Sequence, residues 1–175
     1  IETGKIKKMP LSENAIIEQG FDKKEINHLE SLFALGNGYL GMRGTYDESI
    51  AGEVSGMYIN GVFATSEYKH LARYKGFAKQ NEFTVNLPDW RIFTVTVDGE
   101  RASLLNGNIT EHERRLEFDT GRLVRNFLFT TKTGKQVKVE SLRLLNRNEV
   151  HGAEISYRVT PLNLSGEIAD NSVIV

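Results

Sequence analysis

From Asn81 to the C-terminus the chain is written in a period of two, broken at short intervals by glycine turns. In Arg91 to Asp98, Phe93, Val95 and Val97 share one face, and Ile92, Thr94 and Thr96 share the other. In Ala153 to Thr160, Ile155, Tyr157 and Val159 are expected to face a core, and Glu154, Ser156 and Arg158 to face water. Such alternation marks a half-buried strand. Leu123 to Thr130 carries large apolar residues on both faces, Leu123, Phe127 and Phe129 against Val124 and Leu128. That predicts a central strand covered on both sides. Asp98-Gly99, Asn106-Gly107, Asp119-Thr120-Gly121, Thr133-Gly134 and Ser165-Gly166 separate the runs. Glycine supplies the positive φ of tight hairpins. Turns spaced by about 8 to 18 residues fit antiparallel strands better than βαβ units. Pro88 and Pro161 stand at the ends of apolar runs, where a missing N–H is tolerated.

The first third is less regular. Asp22 is placed as an N-cap, with Glu25 three residues on and Ile26, Leu29 and Leu32/Phe33 at helical spacing. The apolar end, Leu32 to Leu35, reads equally well as a strand. Ser66 to Gln80 is basic and aromatic without a period and reads as an exposed loop. The chain opens on Ile1 with no signal-like apolar segment, and ends at Ser172-Val173-Ile174-Val175 as a strand without a capping turn. Both ends suggest a piece of a longer protein.

With 175 residues, 39% of them hydrophobic, the chain can bury one sizeable core in one domain. Charge is balanced at −1, so no global field steers it to nucleic acid or an anionic membrane. No apolar run approaches the roughly 20 residues of a spanning helix. The absence of cysteine excludes disulfide scaffolds, thiolate zinc sites and cysteine nucleophiles, and leaves the compartment nearly open.

Gly36-Asn37-Gly38-Tyr39-Leu40-Gly41 spells G-x-G-x-x-G. A dinucleotide site needs that turn between a strand and a helix, with an acidic residue about 20 positions on. Here Met42-Arg43-Gly44 and Thr45-Tyr46 follow, with no amphipathic helix and nothing acidic between Val54 and Phe63. The glycines are therefore read as allowing a sharp bend and close strand packing. Arg43, flanked by Gly41 and Gly44, is expected to be partly buried in an ion pair with Glu30, Asp47 or Glu48. His28, His70, His112 and His151 stand singly, so a metal site is not expected. No G-x-S-x-G elbow is present. No carboxylate pair is set in a context that would drive two pKa values apart. Glu111, Glu113 and Glu117 beside Arg114 and Arg115 read as a solvated charged strand. Trp90, the sole tryptophan, is a candidate carbohydrate-contact residue, its ring a platform for a sugar. The alternative is an aromatic plug at a sheet end.

Glu30-Ser31-Leu32-Phe33-Ala34-Leu35-Gly36-Asn37-Gly38-Tyr39-Leu40-Gly41-Met42-Arg43-Gly44 resembles the N-terminal domain signature of glycoside hydrolase family 65. Asn86-Leu87-Pro88-Asp89-Trp90 with Val97-Asp98-Gly99-Glu100, Leu116 to Arg125, Val159 to Asn163 and Gly166 to Ile168 resemble later parts of that domain in order. The resemblance spans roughly Ile16 to Val173. It implies a mainly β fold, a large antiparallel β-sandwich of the supersandwich kind with little helix. The whole chain, 1–175, is expected to be that single domain. It also implies a parent enzyme with a linker and an (α/α)6 catalytic barrel beyond this domain. That parent would be a maltose, trehalose, kojibiose or nigerose phosphorylase, inverting an α-glucosidic disaccharide to β-glucose 1-phosphate. Inorganic phosphate would be its co-substrate, and no metal or organic cofactor is implied. The general acid and the phosphate-binding residues belong to the barrel, so no catalytic residue is carried onto this chain. Expected partners are that barrel, the disaccharide through the parent, and a second copy in a homodimer, in the cytoplasm. The alternative is a free-standing carbohydrate-binding module. A hydrolase complete in itself is disfavoured by the carboxylate contexts.

Overall fold

The computed structural model describes residues 11–12, 14–68, 75–163 and 168–172. The chain opens with β1 (Leu11–Ser12) and β2 (Ala15–Gln19), then a 3-10 turn at Lys23–Glu25 that leads into α1 (Ile26–Leu32). Short strands follow: β3 (Leu35–Gly36), β4 (Leu40–Met42), β5 (Met57–Ile59), β6 (Phe63–Glu67), β7 (Gln80–Thr84), β8 (Phe93–Val97) and β9 (Glu100–Arg101). The long strands are β10 (Ile109–Glu117), β11 (Leu123–Thr130), β12 (Gln136–Leu145) and β13 (Ala153–Pro161), before a final β14 (Ile168–Ser172).

Both readings of the first apolar run are realised in succession. The Asp22 carboxylate accepts from the Lys24 N–H at 2.9 Å and starts the helical turn. The helix ends at Leu32, and β3 begins three residues later. At the β8–β9 hairpin, Asp98 and Gly99 take φ of 50° and 77°. Two consecutive positive φ values match the right-handed twist of the β8–β9 pair.

The main layer is a six-stranded antiparallel sheet in the order β1-β2-β10-β11-β12-β13. Its inner face carries Leu123, Arg125, Phe127 and Phe129 from β11 and Val137, Val139, Ser141, Arg143 and Leu145 from β12. Opposite lie the β14-β8-β9 sheet, the β3-β4-β5 sheet and α1. The result is an antiparallel β-sandwich with a helical turn on one side. One apolar cluster joins Val95, Val97, Ala102 and Leu104 to Phe127, Phe129, Val137 and Val139. A second joins Leu29, Phe33, Leu35, Met42 and Met57 to Leu116, Leu123 and Leu145. Full burial of such side chains contributes roughly 1.5–3 kcal/mol each.

Three expectations are corrected. Leu123 to Thr130 is central in its sheet, but Val124 and Leu128 on its outer face are only half-buried. Ile155, Tyr157 and Val159 alternate with exposed neighbours as expected, and Tyr157 and Val159 pack against the first apolar cluster; all three are half-buried, because β13 is the sheet's edge. Ser66 to Gln80 is shorter as a loop than its composition implies: Ser66, Glu67 and Gln80 belong to a β6–β7 hairpin with exposed strands. Residues 69–74, with His70, lie outside the described residues, as do Pro10, the Ser165-Gly166 turn and the last three positions. Glu111 to Glu117 is not a solvated strand. Arg114 and His112 are buried. A bulge at Glu111, which has φ of 50°, shifts the alternation by one residue, so that Ile109, His112, Arg114 and Leu116 all turn inward.

Candidate functional site

The inner face of the large sheet is interrupted by charge. Glu18, Arg114, Arg125 and Ser141 stand opposite one another across β2, β10, β11 and β12. All four are buried, as is Arg143 two residues along β12. This polar belt separates the two apolar clusters.

What the belt meets is the link between β4 and β5. Residues 44–48 run buried without a strand partner. Their carbonyls cannot be met by a ladder, and buried carbonyls need partners. Arginines supply them. Arg91 donates to the Arg43 carbonyl, Arg114 to that of Gly44, Arg143 to that of Thr45 at 2.8 Å, and Arg101 to that of Glu48 at 2.5 Å. Glutamates hold the N–H side: Glu53 accepts from Tyr46 at 2.6 Å and Ile50 at 2.9 Å, and Glu30 from Val54 at 2.8 Å.

Asp47, 1% exposed, sits at the centre. One of its oxygens accepts from Arg143 Nε at 3.0 Å and from Arg143 Nη2; the other accepts from Arg125 Nη1 at 3.0 Å and Ser141 Oγ at 2.9 Å. Glu48 takes both Arg125 Nη atoms, at 2.5 and 2.7 Å. Glu18 accepts from Arg114 Nε at 2.8 Å and from the Tyr46 hydroxyl at 2.5 Å. Arg114 also lies 4.2 Å from the ring centres of both Phe33 and Tyr46. Three guanidiniums thus face three carboxylates. Burial alone would raise Asp47, but Arg143, Arg125 and Ser141 overcome it and hold the carboxyl well below the usual range. Burial would likewise lower Arg125, yet Glu48 and Asp47 raise it. His112 donates from Nδ1 to the Gly20 carbonyl at 2.8 Å and accepts from Arg125 Nε at Nε2, 3.0 Å. Burial and the nearby Arg125 charge depress it to about 3, so it stays neutral.

Glu53 is the outlier. Burial, with Glu48 nearby, outweighs its backbone hydrogen bonds and pushes it up to about 7. Two carboxylates with separated pKa values are one mark of acid–base catalysis. A catalytic pair must also reach a substrate, and Asp47 is sealed inside the sandwich. The void among Thr45, Asp47, Arg114, Arg125, Ser141 and Arg143 measures about 10 Å³, the space of one water. Neither phosphate nor sugar fits. The chemistry this arrangement performs is to hold an irregular buried loop in one conformation.

Arg43 pairs with Glu30 at 2.8 Å, while Asp47 and Glu48, its other expected partners, are taken by Arg125 and Arg143. The Gly36-to-Gly41 segment is a hairpin between β3 and β4, not a strand-to-helix turn. Gly38 has φ of 92°. Asn37 Oδ1 accepts from the Tyr39 and Leu40 N–H groups, and Nδ2 donates to the Asn146 and Val150 carbonyls at 2.8 and 2.9 Å. Gly44 is where backbone and neighbour come closest: a Cβ there would stand 2.5 Å from Phe33 Cβ.

Trp90 is half-buried and packs against the second apolar cluster. Its neighbours are locked: Arg91 donates to Asp89 through Nε at 2.7 Å and Nη2 at 2.6 Å, and Ser55 bonds to both. Asn86 accepts from the Met57 N–H at 2.9 Å and donates to the Ser55 carbonyl at 3.1 Å. Asn86 to Arg91 is thus a latch that fastens β5. Among the described residues no group of three metal-ligating side chains occurs, and no helix is long and apolar enough to cross a membrane.

Arg114, Arg125, Arg143 and Asp47 were not singled out as buried by the sequence reading. A signal existed for two of them. Arg125 shares parity with Leu123, Phe127 and Phe129, and Arg143 with Val137, Val139 and Leu145. A charge at a core position of a strand implies a buried partner.

The residues of this belt and latch fall inside a known family. The sequence model described as glycosyl hydrolase family 65, N-terminal domain, matches residues 16–175. The chain belongs to glycosyl hydrolase family 65. Its relatives include an alpha,alpha-trehalose phosphorylase of Thermoanaerobacter brockii, 36% identical over 83% of this chain and 19% of the relative. A kojibiose phosphorylase of the same organism is 34% identical over 91% of this chain and 19% of the relative. A solved structure from the human microbiome, provisionally named a kojibiose phosphorylase, superposes with a TM-score of 0.77 at 26% identity, over 86% of this chain and 20% of that one. The chain therefore spans about a fifth of the length of the curated relatives it matches.

Proposed function

We propose that this family 65 domain, residues 1–175, is the scaffold of a disaccharide phosphorylase and is itself without catalytic activity. The parent cleaves an α-glucosidic disaccharide with inorganic phosphate, inverting to β-glucose 1-phosphate and a free sugar. Its general acid and phosphate site reside in an (α/α)6 barrel elsewhere in the same chain. The relatives' names, trehalose and kojibiose phosphorylase, support the reaction class. The observation that carries the scaffold role is the closed belt: Asp47 and its arginines stand around a void of about 10 Å³. Phosphorolysis needs an acid and a phosphate held on opposite sides of the glycosidic bond, and that void admits neither ring nor anion.

The domain's role is to pack on the barrel, shape the site entrance and support a homodimer in the cytoplasm. Val62 and Phe83 share one face of the β6–β7 hairpin and favour such packing, with Phe83 48% exposed; Phe63 lies on the other face. Grouped exposed apolar side chains mark contact surfaces. The test is release of glucose 1-phosphate by the purified chain from maltose, trehalose, kojibiose and nigerose, with and without phosphate. None is expected. Turnover that follows the chain's own elution peak through repurification overturns the scaffold reading.

A further inference from the structure

A second cavity, of about 160 Å³, opens beside the β10–β11 turn, away from the charged belt. Leu35, Leu116 and Leu145 form its apolar wall, and Glu117, Phe118 and Arg147 complete it. It is smaller than the roughly 300 Å³ at which sites for drug-sized ligands begin, so a ligand as small as one six-membered ring suits it.

We propose that this cavity binds a single neutral sugar ring. Three features of the lining select that chemistry. The first is charge. Glu117 and Arg147 both line the cavity, and among the described residues they form no ion pair with each other. Their charges cancel, so a ligand without net charge is favoured. The second is free hydrogen-bonding capacity. One Glu117 oxygen accepts from Thr120 Oγ1 at 2.7 Å, and among the described residues the other has no partner. The single hydrogen bond of Arg147 is a long one, 3.5 Å, to the Asp119 carbonyl. A fork of donors and a carboxylate acceptor lining one small space suit vicinal hydroxyls, which donate and accept at once. The third is the wall. Phe118 is 49% exposed at the rim, while the leucines behind are buried. An exposed aromatic ring beside buried aliphatic side chains suits the C–H face of a pyranose.

The site is also held in advance of any ligand. Leu35, Leu116 and Leu145 stand on strands, and the Phe118 N–H donates to the Asn14 carbonyl at 2.9 Å. The Arg147 turn is fixed by Asn146, whose Oδ1 accepts from Asn148 and Glu149 and whose carbonyl accepts from Asn37. Gly121 leaves space for the guanidinium: a Cβ there would lie 2.9 Å from Arg147 Nη2. Preorganisation limits the ordering cost of binding. This argument stands on the lining alone and goes beyond the scaffold reading. Its sugar-contact residue is Phe118, a position distinct from Trp90, which packs on the second cluster.

The experiment is an amide titration of the 15N-labelled chain with glucose, and separately with glucose 1-phosphate. A ring with this few contacts is expected to bind with a dissociation constant on the order of 1 mM. Saturable shifts should concentrate at residues 34–36, 117–121 and 147. Phe118→Ala, at an exposed site, should keep the folded spectrum and abolish the shifts. Arg147→Ala should weaken binding at least about tenfold, the loss expected when a charged hydrogen-bond partner is removed. Shifts that do not saturate, that persist unchanged in Phe118→Ala, or that fall elsewhere overturn the proposal. Tighter binding of glucose 1-phosphate than of glucose also overturns it, since it would make the site an anion site.

Discussion

Gly44 and Gly41 lie three residues apart in one motif and face opposite demands. A Cβ at Gly44 collides with Phe33, whereas one at Gly41 meets nothing within 4 Å. Gly44→Ala is expected to destabilise by about 1–3 kcal/mol through forced repacking, and Gly41→Ala to stay within about 0.5 kcal/mol of the parent. Urea unfolding of the two variants side by side reads the difference, and equal effects would remove Gly44 from its proposed role. Asp47 poses a different question. Removing it leaves Arg125 and Arg143 buried with less compensation. Breaking a buried pair costs about 3–5 kcal/mol, so Asp47→Ala should lower the urea midpoint more than a change at an exposed carboxylate, such as Glu149→Ala. A midpoint unchanged by Asp47→Ala would mean that the belt does not hold the loop.

At the scale of elements, stability is unevenly placed. β10, β11 and β12 have partners on both sides and carry most of the buried side chains. The β6–β7 hairpin pairs only with itself, and its strands are exposed. Local opening follows such differences. Native-state hydrogen exchange should therefore show amides of β11 exchanging only through global unfolding. Those of β6 and β7 should exchange at a much lower opening free energy. Equal protection of the two groups would contradict the layered description. The bulge in β10 is the element-level device that made the charged run hard to read: it puts both Ile109 and His112 inside, an odd separation that no unbroken strand allows.

For the whole molecule, pH acts through two opposed groups. His112 falls from its ordinary 6.5 to about 3 on folding. Between those values the unfolded chain binds a proton that the folded chain refuses, so stability falls as pH falls. Glu53 rises from 4.5 to about 7. Between those values the folded chain holds the extra proton, so stability falls as pH rises. Each slope approaches about 1.4 kcal/mol per pH unit at most. They oppose one another from pH 4.5 to 6.5, and the unfolding free energy should be nearly flat there. Below 4.5 His112 acts with the depressed Asp47, and stability should drop. His112→Asn removes one slope, so its stability should rise as pH is lowered from 7 to 4.5. A parent-like flat profile in that variant would show that His112 is not the titrating group.

By itself the sequence determined the architecture. Period-two runs and glycine turns specify antiparallel strands, because side-chain direction and positive φ are local properties that each residue carries with it. Asp98-Gly99, the 153–161 alternation and the Asp22 cap were all legible for that reason. The motif from Glu30 to Gly44 carried the family. Tertiary structure alone decided which charges lie inside. Arg114 and Arg115 are adjacent and chemically identical, yet one is 1% exposed and the other faces solvent, since only one meets Glu18 and the Gly44 carbonyl across the sandwich. Likewise Phe118 became part of a pocket only when β3 and the turn after β12 were brought beside it. A charge can be buried only where a partner from a distant segment satisfies it, and a period read along one strand contains no information about that partner.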